Sequence, residues 1–350
     1  MEKIIRLIAL KNLTYLKNSK ENSFSLYKTL CALRIKFNFA QKYLKFAFAQ
    51  KIMKYYDTKN WLGILFRISK SETIKKLFLP MLVMGIYSCI VAFIELKVFE
   101  INENHFLKDL SLIYSLLGFV LSLLLVFRTN TAYDRWWEGR KLWGQLVNDS
   151  RNFAIKINAI LANDDDYNRS FFRKSISYFP HLLSRHLSKE STEFALDESY
   201  NELYDAEKAQ HPPVSLVNMM MNRILHLHRE GKISGEQMIF LDKQLSGFLE
   251  VCGGCERIKN TPIPFSYSSF VKKFILTYVL ILPLSQVATV GYAMIPLTVF
   301  VFYVLMSLEL IAEEIEDPFS NDENDLPTEQ MAQNIEKNVQ QIIYLKPKND

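Results

Sequence analysis

Uncharged apolar runs alternate along this chain with charged stretches in which apolar residues recur at helical spacing. Residues 77–94 (LFLPMLVMGIYSCIVAFI) and 110–127 (LSLIYSLLGFVLSLLLVF) each hold 18 residues without a charge, and residues 274–308 hold 35. A helix rises about 1.5 Å per residue and a hydrocarbon core is about 30 Å thick, so the shorter runs reach the spanning threshold and the longest exceeds it. The longest run therefore predicts two spans, broken at GYAMIP, where Gly291 and Pro296 punctuate it. Four membrane-spanning helices follow, because buried soluble helices account poorly for runs of this length and number.

The long stretch between the second and third spans reads as a compact helical unit. Apolar residues recur at helical spacing in QLVNDSRNFAIKINAIL and SFFRKSISYFPHLLSRHL, and strand-like alternation is scarce. HPP at 211–213 and REGKIS at 229–234 separate further helices. After the fourth span, IEDPFSNDENDLP predicts a proline-bounded acidic loop, followed by an amphipathic tail, EQMAQNIEKNVQQIIYL. No internal repeat of fixed period is present.

Composition narrows the class. With 25 Phe, 17 Tyr and 4 Trp the chain is no disordered polymer, and 4 Cys in 350 residues exclude a disulfide scaffold. Charge sets the orientation. Arg67, Lys70, Lys75 and Lys76 precede the first span, Arg128, Arg135, Arg140 and Lys141 follow the second, and Lys272 and Lys273 precede the third. By the positive-inside rule both termini lie in the cytoplasm. No secretory signal is visible, since IIRLIAL is interrupted by Arg6. Residues 1–51 carry a net charge of +9 and suit an anionic lipid surface. Met53 opens a sensible amino terminus of its own, so residues 1–52 read equally as a disordered or untranslated extension.

Few residues suggest chemistry. Ser111, Ser115, Gly118 and Ser122 share one stripe of the second span, which suits close helix packing or the border of a wet pore. Phe119, Leu123 and Phe127, spaced by four, form an adjoining apolar ridge; around an axis of several copies such a ridge makes a constriction that gates by dewetting. Cys252 and Cys255 form CGGC, but no strand precedes it and no second Cys pair completes a zinc site, so an inert pair is expected. His226 and His228, two apart, point in different directions on a helix. The acidic cluster Glu313, Glu314, Glu316, Asp317, Asp322, Glu323 and Asp325 offers hard oxygen ligands without EF-hand spacing. Phosphate loops, nucleophile elbows and nucleic-acid motifs are absent, so neither an enzyme nor a nucleic-acid partner is expected.

Residues 127–146 (FRTNTAYDRWWEGRKLWGQL) resemble a bestrophin of the prokaryotic branch. CERIKNTPIPFSY at 255–267 and IEDPFSNDENDLP at 315–327 support the resemblance independently, and it runs from about residue 61 to 327. It implies an all-α polytopic membrane protein with four transmembrane helices per subunit and a helical cytosolic region. It also implies assembly as a homopentamer around one pore for small monovalent ions. The neck positions then fall on Phe119, Leu123 and Phe127. A second, cytosolic aperture falls at or beside Gln237, with Glu236 the neighbouring alternative. Glu314, Asp317, Asp322 and Asp325 match the positions that bind calcium in animal members, although their run of aspartates is broken here as NDEND.

The expected divisions are 1–52, the basic extension; 53–76, a cytosolic segment; 77–128 and 274–312, the paired spans; 129–273, the cytosolic helices; and 313–350, the acidic loop and tail. The family reading favours chloride or other anions. The acidic outer residues Glu95, Glu100, Glu103 and Asp109 would instead favour cations. A membrane-anchored scaffold acting through its cytosolic helices is the further alternative.

Overall fold

The computed structural model describes residues 72–98, 105–188, 206, 209–320, 322 and 324–343. The expected basic extension, Glu100, Glu103 and Glu323 lie outside these residues, as does the side chain of Asp109. Every described element is helical. They are α1 (Glu72–Phe93), continued by a π turn (Ile94–Val98), α2 (His105–Ile160), α3 (Asp166–Ser188), α4 (Pro212–Arg229), α5 (Gly235–Asn260), α6 (Phe265–Val290), α7 (Met294–Glu316) and α8 (Thr328–Ile342).

Three helical stretches are long and apolar enough to cross a membrane: Thr73–Lys97, Leu112–Ile160 and Phe265–Glu316. The last folds on itself. Gly291, at φ 65°, ends α6 in a conformation that side chains disfavour, and one 3-10 turn (Gly291–Ala293) leads into α7. The break therefore falls at the glycine of GYAMIP, while Pro296 sits in the first turn of α7, where a missing N–H costs nothing. α2 is 56 residues long, about 84 Å at the helical rise, and runs without interruption through the expected division at 128/129. That division marks a change of surroundings along one rod.

α1, α2, α6 and α7 pack together through Leu121, Leu125, Val271, Ile275, Val279 and Phe302. Their outward faces are apolar and exposed, for example Phe78, Leu79, Leu112, Phe270 and Phe300. This is the inverse of a water-soluble surface and suits lipid. The distal half of α2 joins α3, α4, α5 and α8 around a second core. There Trp143, Phe153, Phe172, Phe179 and Phe248 are fully buried, with Phe153 edge-on to both Phe172 and Phe248.

Local chemistry explains the helix ends. Pro212 and Pro213 open α4 behind His211, and Gly231 at φ 72° turns the chain after it. Ser234 then starts α5 with a capping box: its hydroxyl accepts from the Gln237 N–H at 3.2 Å, and Gln237 Oε1 accepts from the Ser234 N–H at 2.9 Å.

Candidate functional site

The ridge picked out on the second span stands clear of its own chain. Phe119, Leu123 and Phe127 are 62%, 44% and 62% exposed, whereas Leu121, Leu125 and Arg128, on the other side of α2, are buried against α6 and α7. The small-residue stripe is packed at Gly118 and exposed at Ser115 and Ser122. Gly118 packs so closely on α6 that an added Cβ would lie 2.6 Å from Tyr278 Oη. Ser115 and Ser122 are exposed, and Ser122 turns its hydroxyl onto the carbonyls of Gly118 and Phe119 at 2.8 and 3.0 Å.

Below the ridge, the three sequence motifs meet. Arg135 on α2 donates to the carbonyls of Ile258 and Thr261 at the end of α5 and, at 3.0 Å, to the carbonyl of Glu316 at the end of α7. Glu316 Oε1 in turn accepts from the backbone N–H of Ile263 at 2.6 Å. Arg128, buried, reaches Glu316 at 2.7 Å and Glu309 at 3.4 Å. Glu138 pairs with Arg257. Motif residues far apart in sequence thus brace α2 against the α5–α6 turn and the end of α7. Sequence reasoning used Arg128 and Arg135 only as charges that set the orientation and gave Arg257 no role; their place inside the motifs was the available signal.

The acidic loop docks on the same helix. Trp136 Nε1 donates to the Asn324 carbonyl at 3.0 Å, and Phe319 and Leu326 are buried beside Gly139. Of the four candidate calcium ligands, Asp322 and Asp325 come together on one hydroxyl, Ser320 Oγ, at 3.2 and 2.7 Å. Asp325 Oδ2 also accepts from the Asp322 N–H at 2.6 Å, while its buried Oδ1 has no partner. Burial pushes the Asp325 carboxyl up to about 6 despite these donors. Asp317 Oδ1 caps the Phe319 N–H at 3.3 Å. Glu314 is committed elsewhere, to Lys76 at 3.0 Å and Asn324 Nδ2 at 2.8 Å.

Gln237, the expected aperture residue, spends its side chain on the capping box of α5, and Glu236 accepts from Ser234 Oγ at 2.6 Å. The apolar side chains projecting beside them are Ile239 and Phe240, 71% and 53% exposed. Cys252 and Cys255 are buried as free thiols. Burial, reinforced by Glu256, pushes Cys252 up to about 12, and burial likewise raises Cys255, so neither supplies thiolate at neutral pH.

The family model described as "Bacterial/Fungal Bestrophin protein" matches residues 53–341. The voltage-dependent anion channel-forming protein of Synechocystis sp. strain PCC 6803 is 33% identical over 236 residues, covering 65% of this chain and 76% of that one. Its namesake in Mesorhizobium japonicum is 30% identical over 284 residues, covering 79% and 87%. Among solved structures, a bacterial bestrophin homolog from Klebsiella pneumoniae superposes with a TM-score of 0.67 at 25% identity, covering 77% of this chain and all of that one.

Proposed function

Because this chain belongs to the bacterial/fungal bestrophin family, we propose that it is an anion channel of the inner membrane. We propose further that it is a homopentamer, each subunit contributing four spans with both termini in the cytoplasm. The observation that carries the reading is the uncovered ridge of Phe119, Leu123 and Phe127, on a helix otherwise locked against its own chain by Arg128 and Arg135. Five such ridges around an axis form an apolar neck. An ion passes such a neck when water fills it, so the width set by these side chains governs conduction. The positive edges of the Phe rings favour an anion there.

Beneath the neck, α2 continues into the cytosolic helices, so movement of those helices reaches the neck through one rigid rod. Calcium regulation is a weaker part of the reading. Asp322 and the unpartnered oxygen of Asp325 suit a hard cation, whereas Glu314 does not join them.

Planar bilayers holding the purified protein under an asymmetric potassium chloride gradient test this directly. The reversal potential is expected to move toward the chloride equilibrium potential, and Leu123→Ala with Phe127→Ala is expected to raise conductance. A shift toward potassium would transfer selectivity to the acidic outer side. Silence from an intact oligomer would favour the scaffold.

A further inference from the structure

We propose that His186, His211 and Glu256 form a binding site for a divalent transition metal ion of the zinc class. One ligand atom from each lies within 4.8 Å of the other two, the one such three-residue group among the described residues. Nε2 of His186 and Nε2 of His211 converge on a single oxygen, Glu256 Oε1, at 2.6 and 2.7 Å. The two rings lie 4.6 Å apart between centroids, tilted by 40°.

Two imidazoles and a carboxylate are a donor set that zinc takes at about 2.0–2.2 Å, with a fourth, open position for water. Around such an ion the ligand atoms stand about 3.3 Å apart, so each histidine nitrogen would draw back from Glu256 Oε1 by about 0.7 Å to admit it. The residues remain reachable, their side chains being 26%, 39% and 25% exposed. Cys252 is buried one turn earlier on α5, so the side of the site beneath Glu256 is closed to solvent.

The three ligands come from separate elements. His186 is in the last turn of α3, His211 immediately precedes α4, and Glu256 lies near the end of α5. An ion there ties the last turn of α3 and the start of α4 to the helix whose first turn carries Glu236 and Gln237. His226, by contrast, faces its helical neighbour Glu230 at 3.2 Å and is 57% exposed.

The test uses the full chain as the intact detergent-solubilised oligomer, stripped with a chelator, equilibrated with zinc alone and freed of excess. About one zinc per chain is expected, and cobalt in its place should give the strong visible absorption of a tetrahedral site. Glu256→Gln and His211→Ala, if they elute as the same oligomer, should each weaken binding by about 100-fold. His226→Ala should leave it unchanged. A stripped wild-type protein that takes up no zinc overturns the proposal, as does one whose uptake survives Glu256→Gln undiminished.

Discussion

Arg128 Nη2 lies 2.7 Å from Glu316 Oε2, joining α2 to the last residue of α7 through a guanidinium that is 1% exposed. The same guanidinium faces Glu309, which is fully buried, at 3.4 Å. Glu316 also holds the α5–α6 turn at Ile263 and, through its carbonyl, Arg135. One arginine and one glutamate therefore fix the height at which α2 leaves its apolar surroundings.

Removing only the cation should be costly. Arg128→Met leaves Glu309 buried without its counter-charge, and breaking a buried pair in this way costs about 3–5 kcal/mol. Arg128→Met with Glu309→Leu removes both charges and should recover much of that loss. Thermal unfolding of the two variants in detergent decides it. A single variant no less stable than the double would show that the charge of Glu309 is met in some other way.

Gly118 is expected to tolerate no side chain. An added Cβ meets Tyr278 Oη at 2.6 Å and Cζ at 3.2 Å, so Gly118→Ala must push α6 away from α2 or turn the ring. Overpacking of this kind costs about 1–3 kcal/mol, more than the helical preference of alanine over glycine returns. Tyr278→Phe removes the nearest atom, so the double variant should be more stable than Gly118→Ala alone. Equal melting temperatures for the two would refute the contact.

The C-terminal helix docks through a titratable group. His181 on α3 contacts Glu329 at 3.0 Å and Glu336 at 3.4 Å on α8. Burial pulls the imidazole down, but hydrogen bonds and charge from the two glutamates outweigh it and raise its pKa to about 9. A raised histidine stabilises the folded form fully below its unfolded value of about 6.5, and that contribution disappears as pH rises through 9. The upper bound is about 3 kcal/mol. Hydrogen exchange in α8 should therefore quicken between pH 7 and 10, and His181→Gln should flatten the profile. Protection independent of pH in the wild-type chain would remove His181 from this role.

Legibility in the sequence followed the range of the forces involved. Helix ends set by neighbouring residues, such as the turn at 229–234 and the Gly291 break, could be read because turn chemistry is local, whereas the bond of Gln237 to Ser234 was missed in favour of an aperture. The ridge at Phe119, Leu123 and Phe127 could be read because helical spacing alone puts the three on one face. What exposes it could not, since that depends on α6 and α7 covering the other face. The bracing by Arg128 and Arg135 was hidden for the same reason, as each joins residues more than 120 positions apart. The histidine and glutamate cluster joins residues that no short motif links. CGGC is the local pattern beside Glu256; expected to be inert, it holds cysteines that are buried and protonated.

Gly139 is the point at which the acidic loop meets α2. It sits mid-helix, where glycine costs about 1 kcal/mol relative to alanine, so its presence calls for a contact. The contact is tight: an added Cβ would lie 3.1 Å from Phe319 Cζ and 3.3 Å from both Leu326 Cδ1 and Pro318 Cγ. These atoms belong to the packed base of the loop, where Leu326 N–H donates to the Pro318 carbonyl at 3.0 Å, so they yield only if the loop lifts. Gly139→Val should therefore speed hydrogen exchange across the loop by about tenfold or more, equivalent to about 1.4 kcal/mol, while α3 and α5 keep their protection. Adding Phe319→Leu, which shortens the nearest side chain, should restore part of the protection. Unchanged exchange in Gly139→Val would mean that the loop is held by Trp136 and Asn324 rather than by its apolar base.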